Sequence, residues 1–594
     1  MTGNERWRSR ELTWVDQVIG LGLAVGFVAV LMATMGLGYV RDEGFYFRAG
    51  EEYAGWFKEL AEHVETGEVG ESFTQASVDK HFAYNREHPP LPKALFGLSH
   101  WIFYEELGWM SPAVAMRFPA ALFAGLLIYL IYLFGAEAFG RWEGAVAAVA
   151  MALMPRPFFH AHLSCFDYPV TAMWFAVSWA WWKSLRGSRW VPMVGLFFGL
   201  GLSIKHNVFF MPAVLGLHWL AVQWRGFRIA RAPGGARLTL PPLPLALLSL
   251  AVLGPLVWYA LWPWHWFDTF NRMAWYFRFH LEHVHYFQYY FGQNLYAPPF
   301  PVEFPFVMSA VTMPELVLVA MVGGATVLGL QWLRASPPEQ GVDVLGGVRR
   351  WLRPWLGAPL PRDPRGTGWW LWLGALVPTA VIALPSTPIF GGIKHWMPAM
   401  PFVAIVAAVA IVEAGRGLAR LLPRILPGGR RQAWAEAVCV GLFAALVTIP
   451  AVTACVHAHG YNLAFYNTFI GGTRGAADHK MMRQFWGYSS VHTLDYLNAE
   501  VGTGRPVFFQ NTNGDSYQMY KKMGQLRGDI VYGPRATSDF GLLDHQMAAE
   551  SLDELPMWQA YGTFNPVFVA DYDGVPVQSV YRNRRALTPQ PPLP

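Results

Sequence analysis

The chain has 594 residues, of which 54% are hydrophobic, 16% aromatic and only 14% charged, with a formal net charge of +5. Soluble domains carry about 25% charged residues, so this composition excludes an ordinary soluble enzyme and a disordered chain. The apolar residues form long runs, which predicts an α-helical polytopic membrane protein. The three cysteines show no CxxC spacing, so we expect neither a disulfide framework nor a finger-type zinc site.

About eleven apolar runs are long enough to be candidate spans. The first follows a polar, basic N-terminus without a small-residue cleavage site, so we interpret it as a retained span. The runs fall at 15–38, 117–134, 143–158, 168–185, 190–204, 208–222, 243–262, 306–331, 369–385, 395–413 and 434–454.

Four connecting segments are rich in Lys and Arg, and the positive-inside rule places such segments in the cytoplasm. They are 183–189, 223–242, 332–367 and 415–433. All four lie on one side if there are eleven spans and the N-terminus is inside. This orientation holds only if Leu91–Tyr104 does not cross, so we predict an interfacial helix there.

The first outer loop, residues 40–116, begins with the acid pair Asp42-Glu43 directly after the first span. A carboxylate near hydrocarbon must be hydrated, paired or used. Asp167 begins a later span on the same outer side, and two such acids can share general-base and orienting roles. The alternatives are a solvated loop acid or a partner of Arg41 for the pair, and a helix N-cap for Asp167.

Cations recur at the outer ends of spans, where the positive-inside rule predicts few. They suit an anionic lipid headgroup such as a phosphate, although each could also be an ordinary snorkelling side chain. The candidates for donor phosphate binding are Lys93, Lys205, Arg278 and Lys394.

The outer aromatic loop, residues 263–305, is dense in Trp, Tyr, Phe and His, as in an interfacial belt. An interfacial belt does not explain its arginines beside histidines. A divalent metal at these histidines is possible, although no spacing matches a zinc motif. The candidate substrate-binding residues of the outer side are His88, His206, Glu282, His283 and His395.

After residue 455 the apolar spans stop and alternating patterns appear, which predicts two domains, 1–455 and 456–594. The second is a small extracytoplasmic α/β domain with a disordered tail. We predict strands at 507–510, 529–532, 566–570 and 575–581, and helices at 492–500, 516–526 and 545–552.

Two functions fit these features: a membrane transferase with an outer site, or a transporter of a lipid-linked sugar. A transporter is expected to carry ionisable residues at mid-membrane, often in broken helices. Here they cluster at the outer ends of the spans. The chain contains no P-loop, no nucleic-acid module and no inside domain large enough for a nucleotide sugar.

Several motifs in order resemble the GT-C glycosyltransferases that use lipid-phosphate sugars, especially family 39, with the protein O-mannosyltransferases and the aminoarabinose transferase of lipid A. They are DEGFYF, HPPLPK, RFPAALFAGLLIYLIYLFGAEAFG, HLSCFDYP, GLGLSIKHN, KHWMPAMPFVAIVAAVAI and YNTFIGGTRGA. In this chain KHN stands where many members of the family have a Thr-Lys-Gly type turn. No His follows the acid pair Asp42-Glu43, and this difference disfavours protein mannosylation.

This resemblance implies a GT-C enzyme of the inner membrane that moves a sugar, with inversion, from a polyprenyl phosphate to an acceptor hydroxyl. The acceptor would be a protein, a lipid or a glycan. Asp42 would deprotonate the acceptor and Asp167 would be the second acid of the site, with Glu43 beside them. The outer cations would stabilise the leaving phosphate.

Overall fold

The computed structural model describes residues 10–232, 235–282, 286–334, 364–389, 391–421 and 429–584. The chain is mainly helical, and it is an integral membrane protein. The helices of the membrane region are α1 Trp14–Ala33, α2 Arg41–Thr66, α3 Gln75–Phe82, α4 Leu91–His100, α5 Pro112–Ala138, α6 Arg141–Ala152, α7 Pro155–Ala161, α8 Asp167–Ser184, α9 Val191–Leu202, α10 Met211–Gln223, α11 Leu245–Ala260, α12 Thr269–Leu281, α13 Phe304–Thr312, α14 Glu315–Arg334, α15 Pro364–Ala383, α16 Met400–Leu421 and α17 Gly429–His457.

Each predicted span contains helix, but the helices differ in length. Within the described ranges, five are long and apolar enough to cross a bilayer by length and composition, or six if α13 and α14, bent by 119°, count as one broken span. Helices such as α6 and α9, with 12 residues each, reach about 18 Å at 1.5 Å per residue. The number of eleven spans therefore stays a prediction.

Helix α8 lies at the centre of the membrane region, because every residue from Asp167 to Trp182 is buried. It packs against α5 and α9. Small residues allow the neighbouring helices to approach closely: a Cβ on Gly135 of α5 would lie 2.5 Å from Gly144 of α6. The first turn of α8 therefore lies inside the protein, where the carboxylate of Asp167 is shielded from water.

The first outer loop is largely helical. Its longest element, α2, has 26 residues and buries one face against α4 and against the C-terminal part of the chain. Asp42 and Glu43 lie in its first turn, where the helix dipole favours negative charge. The predicted helix at Leu91–Tyr104 is present as α4, followed by a π-turn at Trp101–Glu106.

The outer aromatic loop forms α12 and the short hairpin β3 Gln288–Tyr290 and β4 Gln293–Leu295. An ion pair joins it to the first outer loop: Arg272 Nη2 donates a hydrogen bond of 2.7 Å to Asp79 Oδ2. The guanidinium of Arg86 lies 5.2 Å and 4.9 Å from the ring centroids of Trp264 and Trp275. These contacts hold the two outer loops together. Another hairpin, β1 Arg228–Ala232 and β2 Gly235–Thr239, joins α10 to α11.

The C-terminal part contains a five-stranded mixed sheet in the order β6-β5-β7-β9-β8. The strands are β5 Pro506–Phe509, β6 Val531–Tyr532, β7 Phe540–Asp544, β8 Phe568–Tyr572 and β9 Val575–Arg582, and the helices are α18 Gly472–Asp478, α19 Leu494–Glu500, α20 Gly514–Lys522 and α21 Met547–Tyr561. The four predicted strands are confirmed. The sequence prediction missed β7, which is buried along its whole length and so shows no alternation.

Candidate active site

Four of the predicted acids and cations lie near the starts of α2 and α8. The turn before α10 contributes Lys205, and the turn Gly392–His395 contributes Lys394. We call Asp42, Asp167, Lys205 and Lys394 the acid–cation cluster. The starts of two helices present positive dipole ends toward it. The cluster can therefore accommodate more negative charge than its two carboxylates carry.

Asp42 is the open member of the cluster. Its side chain is 34% exposed, and Oδ2 lies 3.9 Å from Lys394 Nζ. At this distance the two groups form an ion pair, but they are too far apart for a hydrogen bond. A carboxylate held in this way has a charged neighbour and still has lone pairs directed toward solvent. This partial exposure distinguishes Asp42 from the buried Asp167.

Asp167 is buried and fixed at the first turn of α8. Lys205 Nζ donates a hydrogen bond of 2.6 Å to Oδ1. His160 Nδ1 lies 3.7 Å from Oδ2, which the sequence analysis did not predict. Because a buried carboxylate without partners is costly, these two neighbours hold the charge of Asp167 in place. The acid also fixes the ammonium of Lys205.

Lys394 is buried, and its ammonium lies 3.8 Å from the ring centroid of Trp486. The turn that carries it needs glycine at two positions, because Gly391 has φ of 76° and Gly392 has φ of 60°. A Cβ at residue 391 would lie 2.3 Å from Lys394 Cε. The GGIKH sequence is therefore required for this lysine to turn into the cluster.

Glu43 is bound differently from its neighbour Asp42. Its carboxylate is fully buried and accepts two hydrogen bonds from Arg117, at 2.8 Å and 2.7 Å. The backbone N–H groups of Ser164 and Val40 donate to the same two oxygens, at 2.9 Å and 3.2 Å. Each oxygen thus accepts two hydrogen bonds. The geometry therefore gives Glu43 a structural role in holding α2 on α5, and its predicted place among the reacting groups stays a prediction.

Lys93 is likewise held inside the first outer loop. Its ammonium donates to the hydroxyl of Tyr53 at 2.8 Å, to the carbonyls of Asn85 and His88 at 2.6 Å and 2.9 Å, and more weakly to the Asn85 side chain. Burial lowers the pKa of Lys93 well below its usual value. These bonds give Lys93 a structural role within the first outer loop, and its predicted contact with a donor phosphate stays a prediction.

The predicted histidines form a ring cluster beside the acid–cation cluster. The ring centroids of His206 and His280 are 4.2 Å apart, and those of His88 and His280 are 6.5 Å apart. Burial lowers the pKa of His206 well below its usual value, so its ring is neutral near pH 7. Within the described ranges, no three His, Cys, Asp or Glu side chains are grouped to hold a metal ion.

The remaining predicted residues lie at the edge of this region. Arg278 and Glu282 are exposed at the end of α12. His395 is partly buried directly after Lys394, and His283 lies outside the described residues. Its exposed position distinguishes Arg278 from the buried Lys394 and the partly buried Lys205 of the cluster.

Four residues that the sequence analysis did not single out shape the site: Arg117, Arg156, His160 and Trp486. The guanidinium of Arg156 is buried and donates to the carbonyl of Phe465, at 3.3 Å from Nε and 3.2 Å from Nη2. A signal for Arg117 and Arg156 was present, because Arg inside an apolar run must be paired or used. Trp486 carried no such signal among 28 tryptophans.

Comparison with known proteins gives one family match and several structural likenesses. Residues 87–270 match the family described as dolichyl-phosphate-mannose-protein mannosyltransferase. No curated protein sequence matches the chain.

Three of the structural likenesses are to sugar-transferring proteins or proteins of related name. ArnT from Cupriavidus metallidurans bound to undecaprenyl phosphate is 15% identical over 96% of this chain and 98% of that chain, with a TM-score of 0.43. The Archaeoglobus fulgidus oligosaccharyltransferase is 12% identical over 93% and 71%, with a TM-score of 0.47. The arabinofuranosyltransferase AftD from Mycobacteria is 12% identical over 97% and 40%, with a TM-score of 0.39.

The family match covers HPPLPK, HLSCFDYP and GLGLSIKHN, and therefore the buried lysine of the first outer loop and the Asp167–Lys205 pair. Asp42 and Lys394 lie outside the matched range. The match confirms the resemblance that the motifs indicated: this membrane protein is similar to the GT-C glycosyltransferases that use lipid-phosphate sugars.

Proposed function

We propose that the protein transfers a sugar from a polyprenyl phosphate to the hydroxyl group of an acceptor, with inversion, at the acid–cation cluster. The observation that carries this proposal is the geometry of Asp42, a partly exposed acid 3.9 Å from a buried lysine. An acid and a cation side by side suit a reaction that removes a proton and releases an anion. The family match supplies the donor class.

In this mechanism Asp42 accepts the proton of the acceptor hydroxyl as the hydroxyl oxygen attacks the anomeric carbon of the sugar. The bond from that carbon to the phosphate oxygen breaks, and the phosphate leaves with its negative charge. Lys394 and Lys205 lie where this charge develops, and cations already fixed in a water-poor site stabilise it without reorganising. Asp167 keeps Lys205 oriented through their hydrogen bond of 2.6 Å.

The other predicted residues have supporting roles in the proposal. Glu43 and Lys93 hold the first outer loop in shape. The side chains of His88, His206 and His395 line the approach for the sugar or the acceptor. Arg278 and Glu282 lie above it, at the end of α12. No metal ion is needed in this scheme, because the two lysines provide the positive charge.

The proposed arrangement in the membrane follows the charge distribution. The basic segments face the cytoplasm with the N-terminus, and the cluster opens on the extracytoplasmic face of the inner membrane. Residues 1–455 form the membrane domain, and residues 456–594 form an extracytoplasmic domain above the cluster. The acceptor, whether a protein, a lipid or a glycan, enters from that side.

A transfer assay with purified protein in lipid tests the function. A panel of labelled polyprenyl-phosphate sugars is offered with a membrane extract as the acceptor, and Asp42→Asn is the inactive control. We expect wild-type protein to consume one donor and the variant to consume none. If no donor is consumed and labelled lipid instead changes leaflet in vesicles, the proposal fails and the protein is a transporter.

A further inference from the structure

We propose that Trp486 is a positioning residue, through which the C-terminal part of the chain fixes Lys394 beside Asp42. Its link to catalysis depends on the function proposed above, but its effect on Lys394 does not. Trp486 lies in the segment before α19, far along the chain from both residues. Its backbone and its ring each make a contact that serves this role.

The backbone of Trp486 adopts a conformation that is unusual for a bulky side chain. Its φ is 83°, in the region that favours glycine, and Gly487 follows with φ of 74°. Two hydrogen bonds hold this turn: Trp486 N donates to Gln546 Oε1 at 3.2 Å, and Arg41 N donates to Trp486 O at 2.8 Å. The second bond joins the turn to the residue directly before Asp42.

The ring of Trp486 closes one side of the cluster. Its centroid lies 3.8 Å from Lys394 Nζ and 5.6 Å from the ring of His160, and the side chain is 8% exposed. The ring of Phe485 stacks beside it, with the centroids 5.6 Å apart. Lys394 is therefore held between an aromatic face and the carboxylate of Asp42.

An aromatic face suits this position because of how it attracts a cation. The ring quadrupole draws the ammonium toward it without neutralising the charge or accepting a conventional hydrogen bond. A carboxylate in the same place would cancel the positive charge that a leaving phosphate requires. The unusual backbone of Trp486 is thus explained by the place where its ring must lie.

The same turn connects the two parts of the chain. Near it, Tyr39 N donates a hydrogen bond of 2.9 Å to the hydroxyl of Tyr520 in α20, and the two rings lie 4.5 Å apart. The start of α2 is therefore tied to the C-terminal part at Tyr39 and Arg41, just before Asp42. A variant of Trp486 removes the ring and leaves this second attachment intact.

The test uses the full-length protein in lipid and the variant Trp486→Gly. Glycine adopts φ of 83° freely, so this variant removes the ring and keeps the backbone turn. Trp486→Asn is the second variant, because asparagine also tolerates positive φ. Trp486→Phe keeps an aromatic face, and Phe485→Leu changes the neighbouring ring without touching Lys394. Thermal unfolding of each sample checks that it is folded.

Two readouts are taken from each sample. Labelling of Lys394 with an amine reagent, measured by mass spectrometry against the exposed Lys522, reports whether the ammonium is covered. Turnover is measured over ranges of donor and acceptor concentration. In Trp486→Gly and Trp486→Asn we expect severalfold faster labelling and kcat/KM for the donor about tenfold lower, with the KM for the acceptor unchanged. In Trp486→Phe we expect the slow labelling of Lys394 and the kcat/KM for the donor to be mostly restored. Phe485→Leu should behave as wild type in both readouts.

Unchanged labelling of Lys394 in both ringless variants overturns the inference, whatever their turnover. The inference is also overturned if kcat/KM falls equally for the donor and the acceptor and Trp486→Phe does not restore it. Such a result indicates a general structural effect. If labelling rises as expected but wild-type protein consumes no donor, the proposed function fails and the positioning of Lys394 by Trp486 stands.

Discussion

Two carboxylates that are adjacent in the sequence occupy opposite environments. Glu43 is fully buried, and its two oxygens accept four hydrogen bonds, two of them from Arg117. Asp42 is one-third exposed and has Lys394 at 3.9 Å. Successive residues of a helix point about 100° apart, so one faces α5 and the other faces the cluster. A saturated acid supports the fold, whereas an open acid can react.

The largest expected effect tests the open side of this comparison. Replacing Asp42 with Asn removes the proton acceptor and keeps the size of the side chain. Because a general base contributes about 10²- to 10⁴-fold to the rate, we expect turnover to fall by about that factor while the unfolding temperature stays unchanged. Glu51→Gln, which alters an exposed acid of the same helix paired with Lys522, serves as the control and should retain turnover. Wild-type turnover in the Asp42 variant would remove the general-base role.

The next-largest expected effect tests Glu43, the acid whose hydrogen bonds are saturated. Replacing Glu43 with Gln leaves Arg117 buried without its counter-charge. Breaking a buried ion pair in this way costs about 3–5 kcal/mol, so we expect a much less stable protein. Unfolding in detergent by heat or by denaturant measures this. Glu52→Gln, which breaks an exposed pair with Arg48 on the same helix, should change stability by less than about 1 kcal/mol. Equal stability of the two variants would contradict the assignment.

A third prediction separates two lysines that looked equivalent in the sequence. Lys205→Ala removes a cation of the cluster, and a charge-assisted hydrogen bond is worth about 1.5–3 kcal/mol. We therefore expect the KM for the donor to rise about tenfold or more while the KM for the acceptor changes little. Lys93→Met should lower stability and leave the KM for the donor unchanged, because its ammonium is bonded within the loop. The reverse pattern would return Lys93 to the phosphate site.

The smallest effect concerns an acid of α2 that lies outside the cluster. His81 and Lys80 donate to Glu59, and these hydrogen bonds lower its pKa from 4.5 to about 2. A lowered folded-state pKa stabilises the protein above the unfolded value and loses this contribution as the pH falls toward 2. Wild-type protein should therefore lose more stability between pH 5 and pH 3 than Glu59→Gln does. Glu62→Gln, which changes an exposed acid, should lose stability with falling pH as wild type does. Identical curves of stability against pH for all three proteins would refute the contribution of Glu59.

Much of the fold was predictable because its signals are local. The run 117–134 lies within α5, and the run 168–185 coincides with α8 to within one residue at each end. The helix predicted at Leu91–Tyr104 is present as α4 and the π-turn after it, and its interfacial location stays a prediction. Helix α2 was not recognised as one continuous helix, because its polar residues suggested a loop, although its buried residues recur with helical spacing.

The site was predicted in part. Asp42, Asp167, Lys205 and Lys394 do lie together, and charge at the ends of apolar spans was the signal that identified them. The same signal also selected Lys93 and Arg278, since a sequence does not reveal whether a cation is bonded within its own loop or exposed. His160 and Trp486 were missed because their roles depend on neighbours from distant segments.

The sequence by itself determined that the chain is embedded in a membrane and where its apolar helices lie to within a few residues, because apolar length acts within one segment. It also placed an acid at the start of two helices. Only the tertiary structure decided which acid is open. That choice depends on Arg117, which saturates Glu43, and on the turns that bring Lys394 and Trp486 beside Asp42. These contacts join residues far apart in the chain, so no local pattern records them.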